Sequence, residues 1–455
     1  MKDLTKGNES TQILFFALPM LVGNVFQQFY NMVDSWVVGQ FVGTTALAAV
    51  GASFPILFLM VALVMGFGMG ANVLIAQYYG AKDMQKVRAV IDTTYLVLFW
   101  MGLGLTAIGL FFAQPILVLL RVPADVMPEA LTYLRIIFSG LIFMFGYNGV
   151  GAILRGLGDS MTPLYMLIAA TLLNIVLDVV SVLVFHMGVA GVAWATIIAQ
   201  GASFIGSIVY LNKTHEFLRT DFRQLRFDKE LFFLSLKIGL PSGIQQALVA
   251  MGMMFMTAVV NGFGSIVMAG FSAASRIDSF VGMPSMNISM ALSTFVGQNL
   301  GAGKPERVKK GYRSALRIAM SITVILMVVL LLFGKALVSI FTADPEVIAV
   351  GSRYLHVIAP FYVAFTMMFI TNGVIRGAGE TIVPMISTLF AMWLVRVPSA
   401  VLFSSLWGEI GIWWAMPTGW LFGMIIAYSY YRTGRWKNKV VVKAQPAKNQ
   451  SVNAE

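Results

Sequence analysis

The sequence AQYYGAKDMQKV at residues 76–87 recurs in the second half of the chain as GQNLGAGKPERV at residues 297–308. A second pair of stretches, ILRGLGDSMTP at 153–163 and VIRGAGETIVP at 374–384, repeats at the same separation. Two matches in one register indicate that the chain contains two copies of one folding unit. The architecture of one copy therefore predicts that of the other.

Long apolar runs separate these repeated stretches. Hydrophobic residues make up 58% of the 455 residues and charged residues only 11%, about half of the ~25% typical of soluble domains. Too few polar side chains are present to cover a water-exposed surface, which excludes a soluble enzyme, a nucleic-acid-binding domain and a disordered chain. A helix needs roughly 20 apolar residues to cross a membrane. The sequence predicts twelve spans, numbered in chain order, at residues 13–38, 47–76, 91–113, 131–154, 163–185, 189–211, 232–260, 266–297, 316–340, 351–375, 383–406 and 410–431.

Each half of the chain contains six predicted spans. Because six is even, both halves enter and leave the membrane on the same side, so a pseudo-twofold axis along the membrane normal relates them. We therefore predict an all-α integral membrane protein with twelve transmembrane helices in two parallel six-helix bundles. The predicted domains are an N-lobe at 1–211, a cytoplasmic linker at 212–231, a C-lobe at 232–435 and a disordered cytoplasmic tail at 436–455.

The distribution of positive charge predicts the orientation. Lys and Arg outnumber Asp and Glu by 31 to 20, a formal net charge of +11. If both termini are cytoplasmic, the external segments contain only Arg121, Arg135, Lys335 and Arg353 of these basic residues. This asymmetry follows the positive-inside rule and predicts a multi-pass protein of the cell (inner) membrane with cytoplasmic termini. The basic segments are expected to contact anionic lipid headgroups rather than nucleic acid, and we expect a monomer.

Three acidic residues fall deep within predicted spans: Asp34, Asp178 and Asp278. An intramembrane carboxylate costs at least ~2.5–3.5 kcal/mol to insert, which makes it a functional candidate. Asp34, Asp178 and Thr196 lie at similar depth in spans 1, 5 and 6, and Asn174 shares a helix face with Asp178 one turn away. These oxygens could bind a proton or coordinate Na⁺. The alternative is that the carboxyls are protonated or paired and only stabilise helix packing.

The C-terminal half carries a different set of polar residues. Arg276 and Asp278 are two positions apart on a helix and so are expected to face different partners. Gln245 and Gln246 lie in the middle of span 7, where hydrogen bonds between helices are the alternative to a substrate contact. No cysteine is present, and no Ser–His, His–Glu or zinc-ligand pattern occurs at span depth, so an enzyme is not expected. Our candidates for the substrate cavity are Asn31, Gln245, Gln246, Arg276, Asp278 and Arg396.

These features together resemble the multidrug and toxic compound extrusion (MATE) family over residues 10–435. The resemblance implies a transporter that exports organic cations and other amphipathic drugs in exchange for H⁺ or Na⁺, with no further cofactor. It rests on the two six-span halves, an Asp in span 1 and two duplicated loops, Gln-x-x-Gly-Ala at 77–81 and 298–302 and Arg-Gly-x-Gly-[Asp/Glu] at 155–159 and 376–380.

The resemblance also implies a coupling site in the N-lobe. Archaeal and related bacterial members have an Asp in span 1, an Asn and an Asp four residues apart in span 5, and a Thr in span 6. Asp34, Asn174, Asp178 and Thr196 match this pattern, so the family implies H⁺ or Na⁺ coupling there. Another branch has an acidic residue in span 7 that this chain lacks, which favours the DinF-like branch.

A lipid-linked saccharide flippase remains the alternative function, because such proteins share this helical arrangement. A flippase is expected to have a strongly cationic cleft that binds pyrophosphate. Only Arg276 and Arg396 lie deep enough within the predicted spans to line such a cleft, and the N-lobe is acidic.

Overall fold

The computed structural model describes residues 2–214, 219 and 224–442. Every regular element in those residues is helical, and each predicted span coincides with a helical segment. In chain order the twelve segments are Glu9–Val42, Thr44–Gly80, Met84–Leu119, the pair Met127–Ser139 and Leu141–Gly156, Met161–Val184, Gly188–Thr214, Lys229–Asn261, Ser265–Gly301, Pro305–Ser339, Pro345–Gly377, Ile382–Trp407 and Glu409–Arg432.

Most of these segments are long and apolar enough to cross a membrane. Ten of the described helices qualify individually, and the two helices of span 4, which meet at 53°, qualify together as an eleventh. Span 8, Ser265–Gly301, is 37 residues long but contains Arg276, Asp278 and several serines, so it is less apolar than the others. It packs against spans 1, 2, 9 and 10.

Acidic and amide side chains in the loops cap the helices. Asn8 accepts hydrogen bonds from the backbone nitrogens of Ser10 and Thr11 at the start of span 1. Asp83, Asp228 and Asp344 act in the same way at the starts of spans 3, 7 and 10. An N-cap satisfies backbone N–H groups that have no partner inside the helix. These loop side chains therefore have a structural role as helix caps.

Three π-helical segments interrupt the α-helices of the described chain, at Val38–Val42, Val180–Val184 and Phe390–Arg396. The first begins four residues after Asp34, the second begins two residues after Asp178, and the third ends at Arg396. A π-helical turn inserts an extra residue into a helix and often marks a functional site. The sequence did not predict these segments, because a change of hydrogen-bond register leaves no pattern in composition.

The two lobes approach closely through glycines, where span 2 meets spans 7 and 8. A methyl group on Gly66 would lie 2.8 Å from the Cα of Gly243. A methyl group on Gly70 would overlap the carbonyl oxygen of Ser235, and one on Gly80 would overlap that of Gln298. Small residues four apart permit this contact between helix backbones. The lobes are therefore closed together at the end that carries the Gln-x-x-Gly-Ala loops.

The structure corrects the C-terminal boundary of the C-lobe. We predicted a disordered tail from residue 436, but residues 436–442 pack against the helices. Trp436 is only 1% exposed, stacks on Tyr431 with ring centroids 5.6 Å apart, and donates its indole N–H to the Tyr431 carbonyl at 3.0 Å. Burial of the Trp436 ring explains why residues 436–442 pack against the helices. Residues 443–455 of the predicted tail, and 215–218 and 220–223 of the predicted linker, lie outside the described residues.

Candidate functional site

The structure brings together two of the deep carboxyls and one amide inside the N-lobe. With the Asn174 amide oriented so that both of its ends are satisfied, its side-chain nitrogen lies 3.1 Å from Asp34 Oδ1 and 3.1 Å from Asp178 Oδ2. Asp34 also lies beside Asp178 and the Tyr30 hydroxyl. Asn174 and Asp178 are fully buried, and Asp34 is half-buried. Spans 1 and 5 thus meet through a carboxyl–amide–carboxyl contact.

Two tyrosines complete the surroundings of these carboxyls. The Tyr30 hydroxyl contacts Asp34 and also donates to Thr196 Oγ1 at 3.4 Å. Thr196 in turn donates to the backbone carbonyl of Val192 at 3.0 Å. Tyr133 of span 4 is 6% exposed and lies within electrostatic range of both carboxyls. Thr196 therefore connects to the pair through Tyr30 rather than by direct contact.

The sequence analysis missed both tyrosines. Tyr30 lies four residues before Asp34, so helical spacing places the two on one face and could have identified it. Tyr133 had no such signal, because it lies on another span and tyrosine is common in membrane helices.

The N-lobe cluster contains two carboxyl groups with no basic side chain against them in the described part of the chain. The interactions of Asp34 and Asp178 are with each other, with Asn174 and with tyrosine. Asp178 Oδ1 is buried and has no hydrogen-bond partner. Two adjacent carboxylates repel each other unless a proton or a cation neutralises them. This arrangement can therefore bind and release a small cation.

The candidates for the substrate cavity do not form one cluster. Asn31 and Gln246 are exposed. The Gln245 amide nitrogen donates within the C-lobe, to Thr388 Oγ1 at 2.7 Å and the Pro384 carbonyl at 3.3 Å. These two bonds join span 7 to span 11, as the packing alternative for this residue predicted.

Charged residues of the C-lobe divide into two groups. Arg276 is exposed, and its guanidinium lies 5.8 Å from the centroid of the Phe341 ring. Asp278 points instead into the bundle, where it accepts hydrogen bonds from Tyr354 and Tyr362 and interacts electrostatically with Arg396. Of the six cavity candidates, only Asp278 and Arg396 interact with each other among the contacts of the described residues.

Comparisons with known proteins identify the family of the chain. The family model MatE matches the chain twice, at residues 19–180 and 241–402, once in each half. The probable multidrug resistance protein YpnP of Bacillus subtilis is 35% identical over 436 residues, which cover 96% of this chain and 97% of that protein. The probable multidrug resistance protein NorM of Thermotoga maritima is 27% identical, with 96% and 95% of the chains covered.

A solved structure has the same fold. The outward-facing conformation of a multidrug resistance MATE family transporter of the MOP superfamily superimposes with a TM-score of 0.89, covering 96% of this chain and 99% of that chain at 24% identity. The matched fold consists of two six-helix halves in a multi-pass membrane protein. With family-model matches in both halves and a relative 35% identical over nearly its full length, the chain belongs to the MATE family of transporters.

Proposed function

We propose that the protein exports cationic and amphipathic drugs across the cell (inner) membrane in exchange for H⁺ or Na⁺. The observation that carries this proposal is the contact of Asn174 with both Asp34 and Asp178, 3.1 Å in each case. A buried and a half-buried carboxyl with no basic partner among the described residues form a site that needs a mobile cation. The relatives described as multidrug resistance proteins support drugs as the substrates.

Binding of the coupling ion would change how spans 1 and 5 pack. A proton on one carboxyl, or a cation between them, removes the repulsion between Asp34 and Asp178. The π-helical turns beside both residues supply positions where the helices can change register. Entry of the ion would weaken the attraction of the N-lobe for a cationic drug, so ion entry and drug release would be coupled.

Both coupling ions are compatible with the chemistry of the site. With its nitrogen toward the carboxyls, the Asn174 amide donates to both of them, which suits a site with a shared proton. If the amide turned over, its oxygen would join two carboxylate oxygens, and hard cations prefer oxygen ligands. We favour H⁺ or Na⁺ coupling in the N-lobe, as in the DinF-like branch, by a monomer with cytoplasmic termini.

The flippase alternative gains no support from the charges of the C-lobe. Arg396 is buried, with 8% of its surface exposed, and it interacts with Asp278. Arg276 lies against Phe341. The two arginines do not form the concentrated cationic surface that recognition of a pyrophosphate requires.

Transport of a fluorescent cationic dye in membrane vesicles tests the proposed function. Vesicles that contain the protein should move an ethidium-like dye against its gradient when a pH gradient or a Na⁺ gradient is imposed. Collapse of that gradient with an ionophore should stop the movement. Dye movement that is the same with and without either gradient would contradict antiport, and a protein that moves only lipid-linked sugars would favour the flippase.

A further inference from the structure

The interior of the C-lobe contains a buried acid that two tyrosines hold. Tyr354 donates its hydroxyl to Asp278 Oδ2 at 3.3 Å, and Tyr362 donates to Asp278 Oδ1. Tyr354 is fully buried and Tyr362 is 2% exposed. Span 8 thus places one carboxyl between two hydroxyls of span 10, away from the contact between the lobes.

Arg396 is the cation of this interior. Its guanidinium lies within electrostatic range of Asp278 and Tyr354 but forms no ion pair within 4.0 Å among the described residues. Arg396 Nε is buried and has no hydrogen-bond partner, and Nη1 lies 3.7 Å from Met392 Sδ. Burial of a guanidinium with so few hydrogen-bond acceptors destabilises the fold unless a neighbouring negative charge offsets the cost of desolvation.

Asn174 of span 5 and Arg396 of span 11 lie at related positions of the two repeats. Asn174 lies eleven residues after Pro163 in span 5, and Arg396 lies twelve residues after Pro384, the counterpart of Pro163 in span 11. The π-helical segment Phe390–Arg396 accounts for the extra residue, because a π-helical turn inserts one residue into a helix. Where the N-lobe has a neutral amide against carboxyls, the C-lobe therefore has a permanent positive charge.

The charge balance of the two interiors differs accordingly. The N-lobe cluster has two carboxyls and no basic group against them in the described residues, so it needs a cation from solution. In the C-lobe, Tyr354, Tyr362 and Arg396 are the titratable groups facing Asp278 in the described chain. One carboxylate and one guanidinium already balance, and a further cation would leave an uncompensated positive charge.

We propose that Arg396 is a built-in cation that takes the place of a coupling ion in the C-lobe, so that the protein couples transport to ions through the N-lobe alone. This inference rests on the proposed function, because it concerns the number of ion-binding sites in the antiporter. It makes Arg396 a positioning residue that fixes the charge of Asp278. Removal of the guanidinium should turn Asp278 into a second site that requires an ion.

Three variants test this assignment. Arg396→Met removes the charge, Arg396→Lys keeps it, and the double variant Asp278→Asn/Arg396→Met removes both charges. In proteoliposomes at about pH 8, Arg396→Met should export dye about tenfold more slowly than the parent protein, because it leaves a buried carboxylate unpaired. The export rate of this variant should recover at about pH 6. Its dependence on proton or Na⁺ concentration should be steeper than that of the parent protein, by about one additional ion.

The other two variants separate charge from packing. Arg396→Lys and the double variant should keep the ion dependence of the parent protein, since each leaves the C-lobe neutral. If Arg396→Met shows the parent ion dependence, or if the double variant is as impaired as Arg396→Met, the assignment is overturned.

Thermal unfolding of the purified full-length variants gives a readout that does not require transport. The midpoint of Arg396→Met should rise on acidification or Na⁺ addition more than the midpoints of the parent and the double variant. If the parent protein moves no ions, the proposed antiport fails, but this comparison still tests the role of Arg396. If acidification or Na⁺ shifts the unfolding midpoints of all the variants equally, the proposed role of Arg396 is contradicted.

Discussion

Gln77 and Gln298 occupy equivalent positions of the two repeats, and each donates a hydrogen bond across to the other lobe. Gln77 Nε2 lies 3.2 Å from the Gly377 carbonyl oxygen, and Gln298 Nε2 lies 3.2 Å from the Gly156 carbonyl oxygen. Both glutamine side chains are fully buried. The duplicated Gln-x-x-Gly-Ala loops therefore form a symmetric closure between the lobes.

The two ends of the described chain reinforce this closure. The side-chain oxygen of Gln298 accepts from the Leu4 backbone nitrogen at 3.0 Å. The side-chain oxygen of Gln77 accepts from the Val441 backbone nitrogen at 2.9 Å. Opening of the lobes at this end would break the bonds between the glutamines and the opposite lobe, so we expect the glutamines to stabilise the closed state.

The double variant Gln77→Ala/Gln298→Ala should open this closure more often. Loss of two buried hydrogen bonds, each with a net contribution of about 1 kcal/mol, shifts the opening equilibrium by at least about tenfold. Because the chain has no native cysteine, Ser235→Cys, at a position that is 1% exposed, can report opening through its rate of thiol labelling. Gln114→Ala, at an exposed position on span 3, is the matched control. Equal labelling rates in both backgrounds would contradict the prediction.

Gly80→Ala should prevent the same closure by steric overlap. A methyl group at Gly80 would overlap the Gln298 carbonyl oxygen, whereas one at Gly104 would meet no atom within 4 Å. We expect Gly80→Ala to reduce dye export about tenfold or more at matched membrane levels, and Gly104→Ala to leave it unchanged. Normal export by Gly80→Ala would show that close approach at this point is not needed.

The orientation can be tested with single cysteines at exposed loop positions. Because of the charge asymmetry, an impermeant thiol reagent outside intact cells should label Asp125→Cys but not Gln224→Cys, both at exposed positions. Permeabilised cells should label both, which controls for reactivity. Labelling of Gln224→Cys from outside would reverse the predicted topology.

The sequence predicted most of the fold because apolar runs and duplicated motifs are visible in composition. It also singled out Asp34, Asn174 and Asp178 as candidates, because a polar group at span depth is costly enough to stand out. The structure adds that Asn174 lies between the two carboxyls. Spacing within one span cannot show which side chains of different spans meet.

Other features left no trace that sequence reasoning could use. Span 8 was predicted from its length, but the partners of Asp278 come from spans 10 and 11, far away in the chain. The tail was predicted as disordered from residue 436 because its composition is polar and charged, whereas one buried side chain, Trp436, anchors its first part. The π-helical turns depend on backbone hydrogen bonds and not on residue type.

Asp34 and Asp178 should act as one unit. Because they share one site, Asp34→Asn and Asp178→Asn should each abolish gradient-driven drug resistance at matched membrane levels, and the double variant should be no worse. Asp125→Asn, at an exposed loop position, should behave like the parent protein. Additive, partial losses in the two single variants would indicate independent roles. Full resistance in the Asp34→Asn strain would leave only a packing role for that carboxyl.

If the Asp34–Asp178 cluster couples drug movement to ion movement, drug flux alone should drive ions. Proteoliposomes loaded with a pH-sensitive or a Na⁺-sensitive dye can be given a drug gradient and no ion gradient. We expect downhill drug flux to drive counter-movement of H⁺ or Na⁺ through the parent protein and through Asp125→Asn, and we expect no drug-driven ion movement through Asp34→Asn. Drug-driven ion flux of parental size in Asp34→Asn would show that Asp34 is not needed for coupling.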